Sequence, residues 1–210
     1  MSEENKMEFI KKTKRYLFKF QEGLLFSEIK NSTTIESTKF YSEAPFPNYQ
    51  GFENKYVLQK ILSENIFLSD LKKYIGFNKN FIEVGSGTCQ LSLAFAIDTN
   101  NHIVAMDPTL DSLNLGKDFA KKHNIKNVTF LNSDIFDDVV KDNFFDVVWC
   151  SGVLHHTKDS KKGFEIISKW VKEDGLIIIG VYNKIGRLRT NFRQFIYKIL
   201  KKNNFSQKLI

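Results

Sequence analysis

The sequence predicts an α/β protein, three layers deep, built on a mainly parallel sheet. Three observations carry this reading. Five short apolar runs alternate with helical patterns between residues 79 and 183. The first run opens into a glycine turn, Gly85-Ser86-Gly87. The second closes on an acid, Asp107, 20 residues after Gly87. Strands that are apolar at consecutive positions and separated by helices imply a parallel sheet covered on both faces.

In order, the expected strands are Phe81–Val84, His102–Met106, Val128–Leu131, Phe145–Trp149 and Leu176–Val181. The intervening helices are expected at Gln90–Ile97, Ser112–His123 and Ser160–Val171. The last has Phe164, Ile167 and Trp170 on one face, a cap at Asp159 or Ser160, and Gly175 soon after its end. Residues 1–78 read as a helical extension with an irregular break. Within it, Leu17, Phe20, Leu24 and Leu25 fall near helical spacing. The polar segment 31–39 and Pro45-Phe46-Pro47-Asn48-Tyr49 make the break, since each proline pushes the residue before it to extended backbone. Val57–Phe67 and Leu68–Ile75 again read as helix. Residues 184–210 read as one basic amphipathic helix, with Ile185, Leu188, Phe192 and Ile196 on its apolar stripe.

At 210 residues with 42% hydrophobic composition, the chain can bury one substantial core. The net charge of +7 is unevenly placed. Eight basic and no acidic residues lie in 184–210, leaving 23 basic against 24 acidic elsewhere. The main domain is therefore near neutral, and nucleic acid is not an expected partner. The two cysteines, Cys89 and Cys150, form no disulfide or zinc pattern. A reducing, cytoplasmic setting follows as the expectation. No apolar run approaches a membrane span, and the mixed-charge N-terminus does not resemble a signal peptide.

The chemistry gathers around Phe81-Ile82-Glu83-Val84-Gly85-Ser86-Gly87-Thr88-Cys89-Gln90. Glycines allow a sharp turn and close backbone approach to a ligand, and a helix start offers free N–H groups. In a parallel sheet such a turn lies beyond the carboxyl ends of the strands, where ligands sit. An acid closing the next strand can accept both hydroxyls of a ribose. A purely structural reading also exists: a tight turn, with Asp107 capping a helix that opens at Pro108. A dinucleotide fingerprint wants a third glycine where Gln90 stands, which disfavours a nicotinamide enzyme.

The acid-x-Gly-x-Gly opening resembles the first motif of class I S-adenosylmethionine-dependent methyltransferases. Asn132-Ser133-Asp134-Ile135 matches that family's acid after the third strand. Phe145–Cys150 followed by Ser151-Gly152-Val153-Leu154-His155-His156-Thr157 resembles its fourth motif, and Val171-Lys172-Glu173-Asp174-Gly175 its turn before the fifth strand. The resemblance spans residues 79–183. It implies a Rossmann-like fold, S-adenosylmethionine as cofactor, and methyl transfer to a small-molecule or other non-nucleic-acid acceptor. The fourth motif lacks the Asp/Asn-Pro-Pro-aromatic pattern of enzymes that methylate base amines.

Roles follow by resemblance. Gly85, Ser86 and Gly87 would shape backbone near the methionine and ribose. Glu83 would order the loop and hold the methionine end. Asp107 would take the ribose hydroxyls, Asp134 the adenine amine, and Ile135 the ring. The backbone at Cys150 would lie near the methionine ammonium, and Tyr49 would close over the cofactor. His155 and His156 are the candidate bases, set against a plain role as helix cap or backbone partner. No metal site is expected, because two adjacent histidine side chains diverge and nothing completes a ligand set.

Two departures stand out. Cys89 replaces the family's third glycine. The fold normally ends with two more strands, one antiparallel, whereas 184–210 shows a helix pattern. The C-terminal sheet hairpin is thus expected to be missing. These departures support an alternative: a catalytically impaired domain of this fold serving as a cofactor- or partner-binding subunit. The apolar stripe of the 184–210 helix is expected to pack on the core or on a partner subunit, with an anionic membrane surface as the next reading and nucleic acid the last.

Overall fold

The computed structural model describes residues 7–27, 32–43, 45–47, 49 and 54–181. Seven strands form one sheet: β1 (Lys19–Gln21), β2 (Leu24–Phe26), β3 (Asn80–Val84), β4 (His102–Asp107), β5 (Val128–Asn132), β6 (Phe145–Ser151) and β7 (Val171–Gly180). Their order is β1-β2-β5-β4-β3-β6-β7. Only the β1–β2 pair is antiparallel. The chain steps outward from β3 to β4 and β5, then returns to the other side of β3 with β6. That reversal opens a crevice at the carboxyl ends of β3 and β6.

The helices are α1 (Ser32–Glu43), α2 (Lys55–Glu64), α3 (Ile66–Ile75), α4 (Gln90–Ala96), α5 (Leu110–Lys122) and α6 (Ser160–Ile167). Alternate residues of the central strands enter two separate cores, as the strand's two-residue period dictates. Phe81, Ile103, Ala105, Phe130 and Val147 pack with Leu58, Leu71 and Leu113 on one face. Ile82, Val104, Met106, Leu131 and Val148 pack with Phe9, Ile167 and Trp170 on the other. The expected three-layer sandwich is therefore present. Two asparagine caps divide the 54–76 region. The Asn54 side chain accepts from Tyr56 N, and that of Asn65 from Leu68 N, so one expected helix boundary falls at Asn65.

The N-terminal region departs from expectation. The stretch expected as helix across 9–26 holds a 3-10 turn at Lys12–Leu17 and the β1–β2 hairpin. Glu22 and Gly23 both have positive φ, 48° and 85°, the turn that matches strand twist with two residues. β2 then runs parallel to β5, pairing Leu24 with Phe130 and Phe26 with Asn132. Backbone pairing overrode the apparent helical spacing. Phe9 and Ile10 are fully buried, and Phe9 meets Phe144 and Phe145, so this stretch belongs to the core. The polar segment read as a break is instead α1.

At the other edge, α6 ends at Ile167, earlier than expected, and β7 begins at Val171. The β6–β7 register shifts between Phe145 and Val147. A Cβ on Gly175 would lie 3.0 Å from Asp146 O, which explains glycine in that tight bend. The basic helix and the missing hairpin expected at 184–210 lie outside the described residues.

Candidate functional site

One cavity of about 810 Å³ opens at the crevice. Glu83, Gly85, Ser86, Gly87, Asp107, Asp134 and Ile135 all line it, at the ends of β3, β4 and β5. The glycine turn is pinned from below: Gly85 N and Ser86 N both donate to Met106 O, at 2.8 and 3.0 Å. Gly85 takes φ 73° and Gly87 φ 51°. A Cβ at Gly85 would come within 2.2 Å of Val153 Cγ2, so the loop after β6 closes directly on the turn.

The three acids are oriented by backbone. Asp107 Oδ2 accepts from Gly87 N at 2.8 Å and Oδ1 from Thr109 N at 2.7 Å. The Thr109 side chain bonds it as well, and a carboxylate's remaining acceptor capacity is what a ribose hydroxyl would use. Asn132 braces this end of β4 by donating to the carbonyls of Asp107 and Pro108. Glu83 Oε2 accepts from Ser92 N and Oγ, at 2.9 and 2.5 Å. Burial without a cation pushes the Glu83 carboxyl up to about 8, against the two Ser92 bonds that lower it. A cationic ligand beside it would relieve that cost. Asp107 is likewise raised by burial. Asp134 caps a short 3-10 turn: its Oδ1 accepts from Phe136 N, while Asp134 N donates to Asp137 Oδ2. Its Oδ2 accepts from the Thr34 hydroxyl of α1.

Cys89 sits where left-handed backbone is required, at φ 67°, and is fully buried. The fit depends on α5. A Cβ on Gly116 would lie 2.7 Å from both Cβ and Sγ of Cys89. The glycine missing from the turn is thus matched by one on the facing helix, and the turn keeps its shape. Both thiols are free; burial pushes that of Cys150 up to about 12.

One expected site residue sits differently from its expected place. Tyr49 does not line the cavity. Its hydroxyl donates to Thr88 O at 2.6 Å, and its ring stacks on Phe119 at 4.9 Å. It braces the glycine turn from behind because its ring finds an apolar partner there. The Cys150 side chain points into the core, while Ser151, Gly152 and Val153 line the cavity. Of the two histidines only His156 lines it; the His155 ring lies 4.1 Å away from that of His156.

Several site residues escaped sequence reasoning. Thr34, Tyr41, Phe46 and Pro47 form one wall, and Phe136, Lys158 and Val181 part of another. Thr88 Oγ1 donates to Pro47 O, fastening the 45–47 strap to the turn. Only Pro45 and Pro47 signalled a special backbone here; tertiary contacts carry the rest. Among the described residues no group of His, Cys, Asp and Glu could hold a metal ion, and no helix is long and apolar enough to cross a membrane.

An open parallel sheet with acids ending three adjacent strands around a glycine turn defines a nucleoside-cofactor site. The family described as "Methyltransferase domain" matches residues 76–208, and the chain belongs to it. S-adenosylmethionine is the cofactor of this class. The uncharacterized methyltransferase YcgJ of Bacillus subtilis is 24% identical over 98 residues, 47% of this chain and 38% of that protein. This chain therefore matches well under half the length of that curated relative. A structure named for a putative S-adenosyl-L-methionine-dependent methyltransferase of Methanococcus maripaludis superposes with a TM-score of 0.52 at 21% identity, covering 87% of this chain and 84% of that one. The SAM-dependent methyltransferase of Geobacter sulfurreducens, in complex with S-adenosyl-L-homocysteine, gives 0.50 at 15% identity, covering 68% and 54%. Both structural likenesses concern the fold.

Proposed function

We infer that the chain transfers a methyl group from S-adenosylmethionine to a small-molecule or other non-nucleic-acid acceptor by in-line displacement. The observation that carries this reading is the convergence of Glu83, Asp107 and Asp134 on one cavity around the Gly85–Gly87 turn. In this reading, residues 79–183 hold the cofactor and residues 1–78 form a lid and substrate wall. The cofactor supplies an electrophilic methyl on a sulfonium sulfur. Asp107 accepts from the ribose hydroxyls with its remaining lone pairs. Asp134 accepts from the adenine amine, and Ile135 packs against the ring. Glu83 faces the cationic methionine end, and the backbone from Cys150 to Val153 lies beside it. Gly85, Ser86 and Gly87 allow the close approach. His156, or His155 whose ring is tilted against it, takes the proton that the acceptor gives up. The wall of Thr34, Tyr41, Phe46 and Pro47 excludes water.

Calorimetric titration of the purified chain tests this. S-adenosylmethionine and S-adenosylhomocysteine are expected to bind at micromolar Kd, and NADH not to bind. Asp107→Ala should weaken both by about 1–3 kcal/mol, the scale of lost bonds to a charged group. Tight NADH binding, or an Asp107→Ala protein with unchanged affinity, overturns the assignment.

A further inference from the structure

The cavity's charges are partitioned. Its carboxyl, imidazole and ammonium groups among the described residues are those of Glu83, Asp107, Asp134, His156 and Lys158. The three carboxylates end β3, β4 and β5. Both basic groups come from the loop that follows β6. That loop contributes no carboxylate to the lining, and Phe136 and Val181 add apolar surface beside it.

Lys158 is the informative residue. Its Nζ lies 5.3 Å from the centroid of the Phe136 ring, over a face that attracts cations. No carboxylate among the described residues lies within ion-pair distance of it. Asp159 is its chain neighbour, yet the Asp159 carboxylate accepts from Lys162 N as the cap of α6. The His156 ring lines the same side, two residues away. A cation held on an aromatic surface at a cavity wall, beside an imidazole that can donate a ring N–H, is arranged to meet an anion.

We propose that the methyl acceptor carries an anionic group, a carboxylate or a phosphate ester, that pairs with Lys158 and His156 while its apolar body lies against Phe136 and Val181. The proposal rests on the assignment of the carboxylate half to the cofactor. It follows from exclusion as well as attraction. An acceptor with a second cation would stand near the sulfonium with no carboxylate on its side of the cavity. An anionic acceptor places opposite charges across the reacting atoms, and its charge favours entry past Lys158.

The test uses the full chain and begins with S-adenosylhomocysteine alone. Its failure to bind overturns the cofactor assignment and this proposal with it. The loaded protein is then titrated with 3-phenylpropanoate, phenyl phosphate, 3-phenylpropanamide and 3-phenylpropylamine. One or both anions are expected to bind at least tenfold more tightly than the amide or the amine. Lys158→Gln should reduce anion binding fivefold or more and leave S-adenosylhomocysteine affinity within twofold. Raising the salt should weaken the anions and leave the amide unmoved. A carboxylate preferred over the phosphate, or the reverse, identifies which anion the site takes. Equal binding of all four probes, detectable binding of none, or tighter binding of the amine overturns the proposal. So does a Lys158→Gln protein that loses S-adenosylhomocysteine instead, since Lys158 would then serve the cofactor.

Discussion

The two walls of the cavity are built by different means. On the strand side, each acid is oriented by N–H groups of the glycine turn, of the turn just beyond it or of the helix that follows its strand. Asp107 takes Gly87 N and Thr109 N, Asp134 takes Phe136 N, and Glu83 takes Ser92 N. On the N-terminal side, the wall is fastened by side-chain bonds over long sequence separations: Thr34 to Asp134, Thr88 to Pro47 O and Tyr49 to Thr88 O. The first wall is preorganised by the sheet. The second is held by single contacts, each of which one substitution can remove. Binding strength is thus expected to reside in the strand wall, and its coupling to the rest of the chain in the other.

The largest expected effect comes from Glu83, the strand wall's most strained charge. Its carboxyl titrates near 8 when folded, against an ordinary value of 4.5. Between those values the folded state holds a proton that the unfolded state has released. Stability therefore falls as pH rises from about 4.5 to 8, then levels. At pH 7 the cost is on the order of 3 kcal/mol, at about 1.4 kcal/mol per pKa unit. Glu83→Gln should flatten this window, and its melting temperature at pH 8 should exceed that of the wild type. The same substitution should weaken S-adenosylmethionine binding. Wild-type binding should release close to one proton at pH 7 and none well above 8, read by calorimetry in buffers of different ionisation enthalpy. A wild-type melting temperature that rises from pH 5 to 8 sinks this account.

Next in size is a pair of glycines that separates backbone strain from wall contact. Gly23 and Gly87 both have positive φ, at 85° and 51°. A Cβ at Gly23 would meet nothing within 4 Å, whereas one at Gly87 would lie 2.3 Å from Phe46 O. Alanine at Gly23 should cost about 1–2 kcal/mol, the left-handed penalty alone. Gly87→Ala should cost more, because the 45–47 strap must move away, and should weaken S-adenosylhomocysteine binding where Gly23→Ala does not. Equal destabilisation by the two in chemical denaturation would mean that the strap yields freely.

The same contrast explains what was legible in the sequence. The strand wall could be read because its chemistry follows chain order: a buried strand runs straight into a turn that needs positive φ, and the next strand ends on an acid 20 residues after Gly87. The central strands were placed within one or two residues for the same reason. The hairpin at 19–26 was misread because Phe20, Leu24 and Leu25 suit either period over so short a span, and only pairing with β5 decides between them. Cys89 looked like damage to the turn; its remedy, Gly116, lies 27 residues away on α5 and shows only when the two backbones meet. Tyr49 was recognised as part of the site but assigned to the wrong side of the turn. Nothing in the local sequence records that Phe119 waits behind it.

The smallest expected effect sharpens the comparison most. Tyr49 touches none of the cavity, yet its buried hydroxyl holds Thr88 O, one residue beyond Gly87. Burial also raises its ionisation well above the ordinary range, so it stays a neutral donor at working pH. Tyr49→Phe keeps the stack on Phe119 and leaves one carbonyl without its partner, a loss of about 1 kcal/mol. If the strap sets the turn's geometry, that loss should appear in ligand affinity. S-adenosylhomocysteine binding should weaken about threefold to fivefold, with the melting temperature lowered by only a few degrees. If the strap merely covers the turn, the melting temperature alone should fall and the affinity should stay put. The two walls would then be energetically independent, and the N-terminal segment would act on the acceptor without acting on the cofactor.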